Sequence, residues 1–290
     1  MRLRTSGLVV SAALAVLLDV SAAHAQADFS GAWAPRYHED ATERGPGPSV
    51  GEYEGTPIND AGRARGDAWS ASLVTVPEHQ CIPHPPDYNA SFGGLRFRPE
   101  VDPATQRVVA YRLDMFWMNA VRMIWMDGRQ HPLPDSLHTW EGFSTGKWEG
   151  DVLTVTTTNL KPSYLRRNGL ARSDKGTLTE RFYRVGDVLT WVVSIDDPVY
   201  LTEPMVRSRD FYLDPGAAPG LYPCSVDVEA VRAEGEIPHN LPGKNPDLSE
   251  HAMRHNLPLA ATRGGAQTMY PEYQQQITGG FTSGPKGGRR

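Results

Sequence analysis

The side chains that could do chemistry in this chain fall into a few groups. His131 and His138 bracket a Pro-rich loop, and Trp140, Glu141 and Ser144 follow closely. An imidazole, a carboxylate and a hydroxyl within a short span are the parts of acid–base or nucleophilic catalysis, and are equally ordinary on a surface. Other charges sit inside runs of β-forming residues. Glu180 alternates with Leu178 and Phe182, Arg122 stands between Val121 and Met123, and Arg207 and Arg209 share the parity of Met205, Phe211 and Leu213. Side chains alternate across a strand, so these charges follow the apolar face inward. A lone buried charge is costly, so inward charges must pair, making a ligand clamp or an acid–base pair inside a barrel. The competing reading is a bulge that flips the parity and leaves the charges in water. Charged neighbours of apolar residues are common on outer faces, which favours this second reading.

Two further patterns are weaker. His79 and His84 flank Cys81, and His251 and His255 are four apart. Neither set supplies a third ligand at a recognised spacing, so no metal is expected, and His251 and His255 read as a solvated helix in the tail. Gly142-Phe143-Ser144-Thr145-Gly146 fits the Gly-x-Ser-x-Gly pattern of a nucleophile elbow. That elbow needs a strand before it and a helix after it. Here Lys147–Asp151 reads as a turn leading into another strand, so the match is accidental.

The elements that must position these residues are mostly strands. Arg107–Leu113, Val121–Met126, Val152–Thr158, Thr177–Val185, Val188–Ile195 and Met205–Leu213 are short β-rich runs. Asp127-Gly128, Glu149-Gly150-Asp151 and Gly186-Asp187 separate them as hairpin turns. The pattern predicts a mostly β fold, an antiparallel barrel or sandwich. No long amphipathic helix interrupts 107–213, which disfavours a parallel sheet. Phe29-Ser30-Gly31-Ala32-Trp33 resembles the first strand of lipocalin-like (calycin-like) barrels, where the Trp closes one end. The N-terminal segment reads as irregular, with one short helix near Asn59–Trp69. The β domain is expected over 26–229, and 230–290 as a Pro/Gly-rich, largely irregular tail with a helical turn or two near Leu248–His255.

Residues 1–25 predict a secretory signal peptide: a basic start at Arg2 and Arg4, an apolar run Gly7–Leu18, and small residues at Ala23 and Ala25 before the cleavage point. The run is shorter than a membrane span and ends at Asp19, so a periplasmic or secreted protein without a membrane span is expected. Loss of residues 1–25 takes the formal net charge from −5 to −6. No basic footprint for nucleic acid remains. The two cysteines, Cys81 and Cys224, are expected to form one disulfide in an oxidising compartment. No cofactor motif stands in the chain, and no pattern in it sets the oligomeric state.

Several motifs together resemble an uncharacterised family of exported bacterial proteins. They are Asp127-Gly128-Arg129-x-His131-Pro132, Gly142-x-Ser144-x-Gly146-x-Trp148-Glu149-Gly150-Asp151-x-Leu153-x-Val155-x-Thr157, Ser173-Asp174, Glu180-Arg181-Phe182 and Asp197-Pro198. The resemblance covers about 120–225. It implies an exported β domain and no particular activity. Phe143 stands where the family tends to have His, so a mechanism built on that imidazole does not transfer. The reading that follows is an exported barrel binding a small aromatic or apolar molecule. Phe116, Trp117, Trp125, Phe182 and Trp191 would wall the site, and Arg122, Arg129, Trp125, Trp148, Glu149, Arg181, Arg207 and Arg209 are its candidate ligand-binding residues. A second class is a periplasmic hydrolase, lyase or isomerase using Glu180 or Glu149 with His131 or His138 as acid and base. A third is a non-catalytic module whose tail docks onto a partner.

Overall fold

A computed structural model describes residues 27–36, 47–90 and 93–279. The expected signal peptide lies outside the described residues. The strands are β1 Gly31–Arg36, β2 Leu95–Val101, β3 Val108–Met115, β4 Ala120–Trp125, β5 Phe143–Glu149, β6 Val152–Thr158, the short pair β7 Ser163–Tyr164 and β8 Ala171–Arg172, then β9 Thr177–Val185, β10 Val188–Asp196 and β11 Met205–Leu213. Nine of them close into one barrel in the order β1-β11-β10-β9-β6-β5-β4-β3-β2, and β7 and β8 pair separately. The mostly β expectation holds, and the barrel form is the one adopted.

The pairings are antiparallel with one exception. β4 and β5 run parallel, in register only at Ile124↔Ser144 and Trp125↔Thr145. The hairpin expected at Asp127-Gly128 is therefore not made. Asp127 Oδ1 accepts from the Arg129 backbone N–H at 3.2 Å, a local turn that starts a long connection instead. A turn signal fixes the direction of a few residues, not the direction of the next strand.

Strict alternation fills the interior. Leu178 and Phe182 on β9 and Leu189, Trp191, Val193 and Ile195 on β10 are all buried. One end is sealed by aromatic rings: the Trp33 indole N–H donates to the Phe29 carbonyl at 2.9 Å, and Arg184 lies 5.1 Å over the Trp33 ring. Phe29 packs in turn on Phe97 and Trp148. The core extends onto Tyr53, Ile58, Leu165 and Leu170 outside the strands.

Helix α1, Asp60–Asp67, falls where the sequence predicts it; the Asn59 side chain accepts from the Gly62 N–H at 2.9 Å as its N-cap. Cys81 and Cys224 are disulfide-bonded, closing a separation of 143 residues. The strap leading to Cys224 crosses the barrel wall. Arg96 donates to the Ala217 carbonyl at 2.9 Å, and Tyr222 packs on Trp117. Past the disulfide the chain stays irregular to about residue 245. It then forms short helices, among them α2 Glu250–His255, α3 Leu259–Arg263 and α4 Pro271–Gly279. These dock on the N-terminal segment: Tyr53 N–H donates to Thr262 O at 2.7 Å and Gly55 N–H to Gly265 O at 3.0 Å. His251 is not a solvated residue of a tail helix. It is buried, with Nε2 2.9 Å from Glu54 Oε1. Among the described residues no helix is long and apolar enough to cross a membrane.

Candidate functional site

Neither β4 nor β9 carries a bulge in its central pairings, so parity sends Arg122 and Glu180 into the barrel. They are 3 % and 0 % exposed. The bulge reading, with these charges in water, is thereby corrected. Arg122 donates twice to Glu180, from Nη1 to Oε2 at 2.8 Å and from Nη2 to Oε1 at 2.7 Å. Thr157 Oγ1 donates to Oε2 at 3.0 Å and the Trp191 indole to Oε1 at 3.0 Å. Each carboxylate oxygen thus receives two donors, which is its lone-pair complement. Glu180 has no capacity left to take a proton from a substrate. It is the anchor that fixes Arg122, not a free base.

The wall beside this anchor is open. Because β4 and β5 pair at two positions only, the start of β4 and the segment entering β5 diverge. Between them lies a cleft of about 550 Å³, walled by Met118, Trp125, Trp140 and Phe143 and carrying Arg122, Glu141 and Ser144. Met118 and Asn119, on its rim, both hold left-handed backbone, with φ of 57° and 52°. Such conformations cost energy in non-glycine residues and cluster at binding sites. Both oxygens of the Glu141 carboxyl are buried without a hydrogen-bond partner among the described residues, and so is Nε of Arg122. Burial pushes the Glu141 carboxyl up to about 8; Arg122 opposes this and the charges of Asp87 and Glu180 add to it. A carboxyl that stays neutral at pH 7 can donate a hydrogen bond. Ser144 Oγ is 2.9 Å from Thr157 Oγ1. Thr157 spends its proton on Glu180, so Ser144 donates to Thr157 and is not paired to a base. The nucleophile-elbow pattern has a packing explanation. Gly142 has φ +66°, and a Cβ there would lie 2.5 Å from Thr158 O; one at Gly146 would lie 2.6 Å from Met126 Sδ.

The other predicted residues scatter. His131 lies against the outer face of β5 and β6, its ring nitrogens 2.8 Å from Thr158 Oγ1 and 2.7 Å from Thr145 Oγ1. His138 faces the carbonyls of Leu160 and Pro134 at 3.1 and 2.9 Å. Neither meets Glu180 or Glu149, so the expected Glu–His pairs are not formed: Thr145 and Thr158 point out of the barrel where Ser144 and Thr157 point in. Glu149 sits at the exposed hairpin end, held by Lys147 at 2.5 Å and Thr154 at 2.7 Å. Arg181 is exposed, one residue out of phase with Glu180. Arg129 reaches back to Asp127 and covers the Trp125 ring at 3.5 Å, so it buttresses the cleft from outside. Trp148 belongs to the sealed end, 5.1 Å from Phe29. Arg207 and Arg209 do face inward, but onto a second cleft of about 580 Å³ with Trp191, Glu54 and Met269, not onto the first. Arg207 donates to the Asp87 and Leu165 carbonyls. His84 is packed between Tyr88 and Trp117 rather than presented to a metal, and burial pushes its imidazole down to about 4.

Glu141 is the residue that ranking by sequence missed. It precedes the strand, so parity does not place it, and only the flanking Trp140 and Phe143 hint at an apolar setting. Other motif residues serve the frame: Asp197 accepts from the Ser173 N–H at 2.6 Å and from its hydroxyl at 2.8 Å. No protein-family model, no curated protein and no solved structure matches this chain.

Proposed function

We propose that this protein is an exported β-barrel that binds a small, largely aromatic or apolar molecule in the cleft between β4 and β5. The observation that carries the reading is the Glu141 carboxyl, buried without a partner among the described residues in the wall of an aromatic-lined cleft. A buried polar group left unpaired costs about 1–3 kcal/mol, and a ligand that pairs it recovers that cost. Apolar walls with a few oriented polar groups are the usual make-up of small-molecule sites. Export is supported by the signal-peptide pattern over 1–25, by the disulfide, and by the resemblance to exported bacterial proteins. The test is a titration of the mature protein with toluene, indole, 2-naphthol and hexanol, followed by tryptophan fluorescence and melting temperature. Aromatic members are expected to bind and raise the melting temperature, and Trp140→Ala is expected to weaken them. If none binds, or if Trp140→Ala changes nothing, the cleft is not the site. N-terminal sequencing of the secreted protein checks export; the mature chain is expected to begin at Gln26.

A further inference from the structure

We propose that the β4–β5 cleft selects an uncharged carboxamide head group, seated between the Glu141 carboxyl and the Nε–H of Arg122. The inference rests on the cleft being the binding site and names what that site prefers.

Both terminal nitrogens of Arg122 bond Glu180, and Nη1 also reaches Thr157 Oγ1 at 3.5 Å, which leaves Nε as its one nitrogen without a partner among the described residues. Glu141 offers two unpaired oxygens. As a neutral acid it presents a donor and an acceptor side by side. Its complement is a group with an acceptor oxygen and an N–H donor side by side, which is a carboxamide.

Charge points the same way. The charged groups facing Glu141 are Arg122 from β4, Glu180 from β9 and Asp87 from the turn at Pro86–Asn89. Arg122 is neutralised by Glu180, and Asp87 by Arg172 at 2.9 Å. The charges around Glu141 thus cancel in two pairs, and no net positive charge is left there to hold an anionic ligand. A cationic ligand would meet walls already occupied by cations: Arg129 lies 3.5 Å over Trp125 and Lys161 5.1 Å over Trp140. Burial keeps the Glu141 proton in place up to about pH 8, so at neutral pH the acid form is the one a ligand meets.

The experiment is calorimetric titration of the mature protein with four ligands sharing one ring: benzamide, benzoate, benzylamine and toluene. Benzamide is expected to bind about tenfold or more tighter than the other three, the difference one buried unpaired polar group makes. Its Kd is expected to be flat below pH 7 and to rise about tenfold per pH unit well above pH 8, as Glu141 loses its proton. Glu141→Gln keeps a donor and an acceptor, so it should retain benzamide binding and lose the pH dependence. Glu141→Leu should reduce benzamide to the affinity of toluene. If toluene binds as tightly as benzamide, the cleft stands as a site and the head-group inference falls. If benzylamine binds tightest and strengthens with rising pH, the site takes a cation and the inference is overturned. If none of the four binds, the binding reading beneath it fails as well.

Discussion

Arg122 on β4 and Glu180 on β9 meet across two intervening strands, β5 and β6, with Nη2 2.7 Å from Oε1. The pair therefore straddles the parallel seam, where the barrel wall is joined at only two registered positions. It is a cross-strut under the weakest joint in the ring.

Removing one end of that strut leaves the other charge buried alone. Arg122→Met and Glu180→Leu are each expected to cost about 3–5 kcal/mol in urea unfolding. The double variant is expected to recover most of the loss, because an apolar pair of similar volume carries no desolvation penalty. Singles that lose less than about 1 kcal/mol would show that the strut does not hold the seam.

Glu141 gives stability a pH dependence with a definite sign. The unfolded chain loses this proton near the ordinary 4.5, the folded chain only near 8. Between those values the folded state binds more protons, so stability falls as pH rises, by about 1.4 kcal/mol per unit, and levels off above pH 8. Glu141→Gln removes the term. Denaturation of both proteins from pH 5 to 9 should show the variant gaining on the wild type across the window and no further above it.

The disulfide closes a long loop. Cys81→Ser with Cys224→Ser is expected to cost about 4–5 kcal/mol on the chain-entropy account. Hydrogen exchange should locate the loosening just past Cys224, at the Asp227 backbone N–H that donates to the Gln80 side chain at 2.8 Å in the intact protein. A variant as stable as the parent would show that the helices at 250–279 hold the tail without the bridge.

Gly142→Ala combines a left-handed backbone with a Cβ placed 2.5 Å from Thr158 O. It is expected to destabilise by about 1–3 kcal/mol and to weaken ligand binding through the displaced Glu141 beside it. Gly128→Ala, whose Cβ would meet nothing within 4 Å, shares the positive φ and serves as the control for backbone strain alone.

How much of this was legible follows from which residues lie on regular strands. Alternation placed Glu180, Trp191, Arg122 and Arg207 on inner faces because their strands run without bulges through those positions. The same rule, carried one residue further, puts Arg181 outside. His131 and His138 defeated it because they belong to the long β4–β5 connection, where periodicity says nothing about which side of the wall a loop follows. The parallel pairing itself was hidden, since Asp127-Gly128 has the composition of a hairpin turn and the later arrival of β5 on the same side of β4 is a tertiary event. Glu141 could be noticed as a carboxylate but not as a buried one. Its setting is made by Arg122, Asp87 and Glu180, which come from three distant stretches of chain.

β1 pairs with β2 on one side and β11 on the other. The strand that shuts the ring is thus the first one synthesised, and half its partners are the last. A nascent chain must carry Gly31–Arg36 with an open edge until Met205–Leu213 has emerged. Closure therefore waits on nearly the whole barrel sequence, which makes it a slow, high-contact-order step. Were the chain exported as proposed, threaded N-terminus first, the delay would keep the ring open until its last strand had reached the far side.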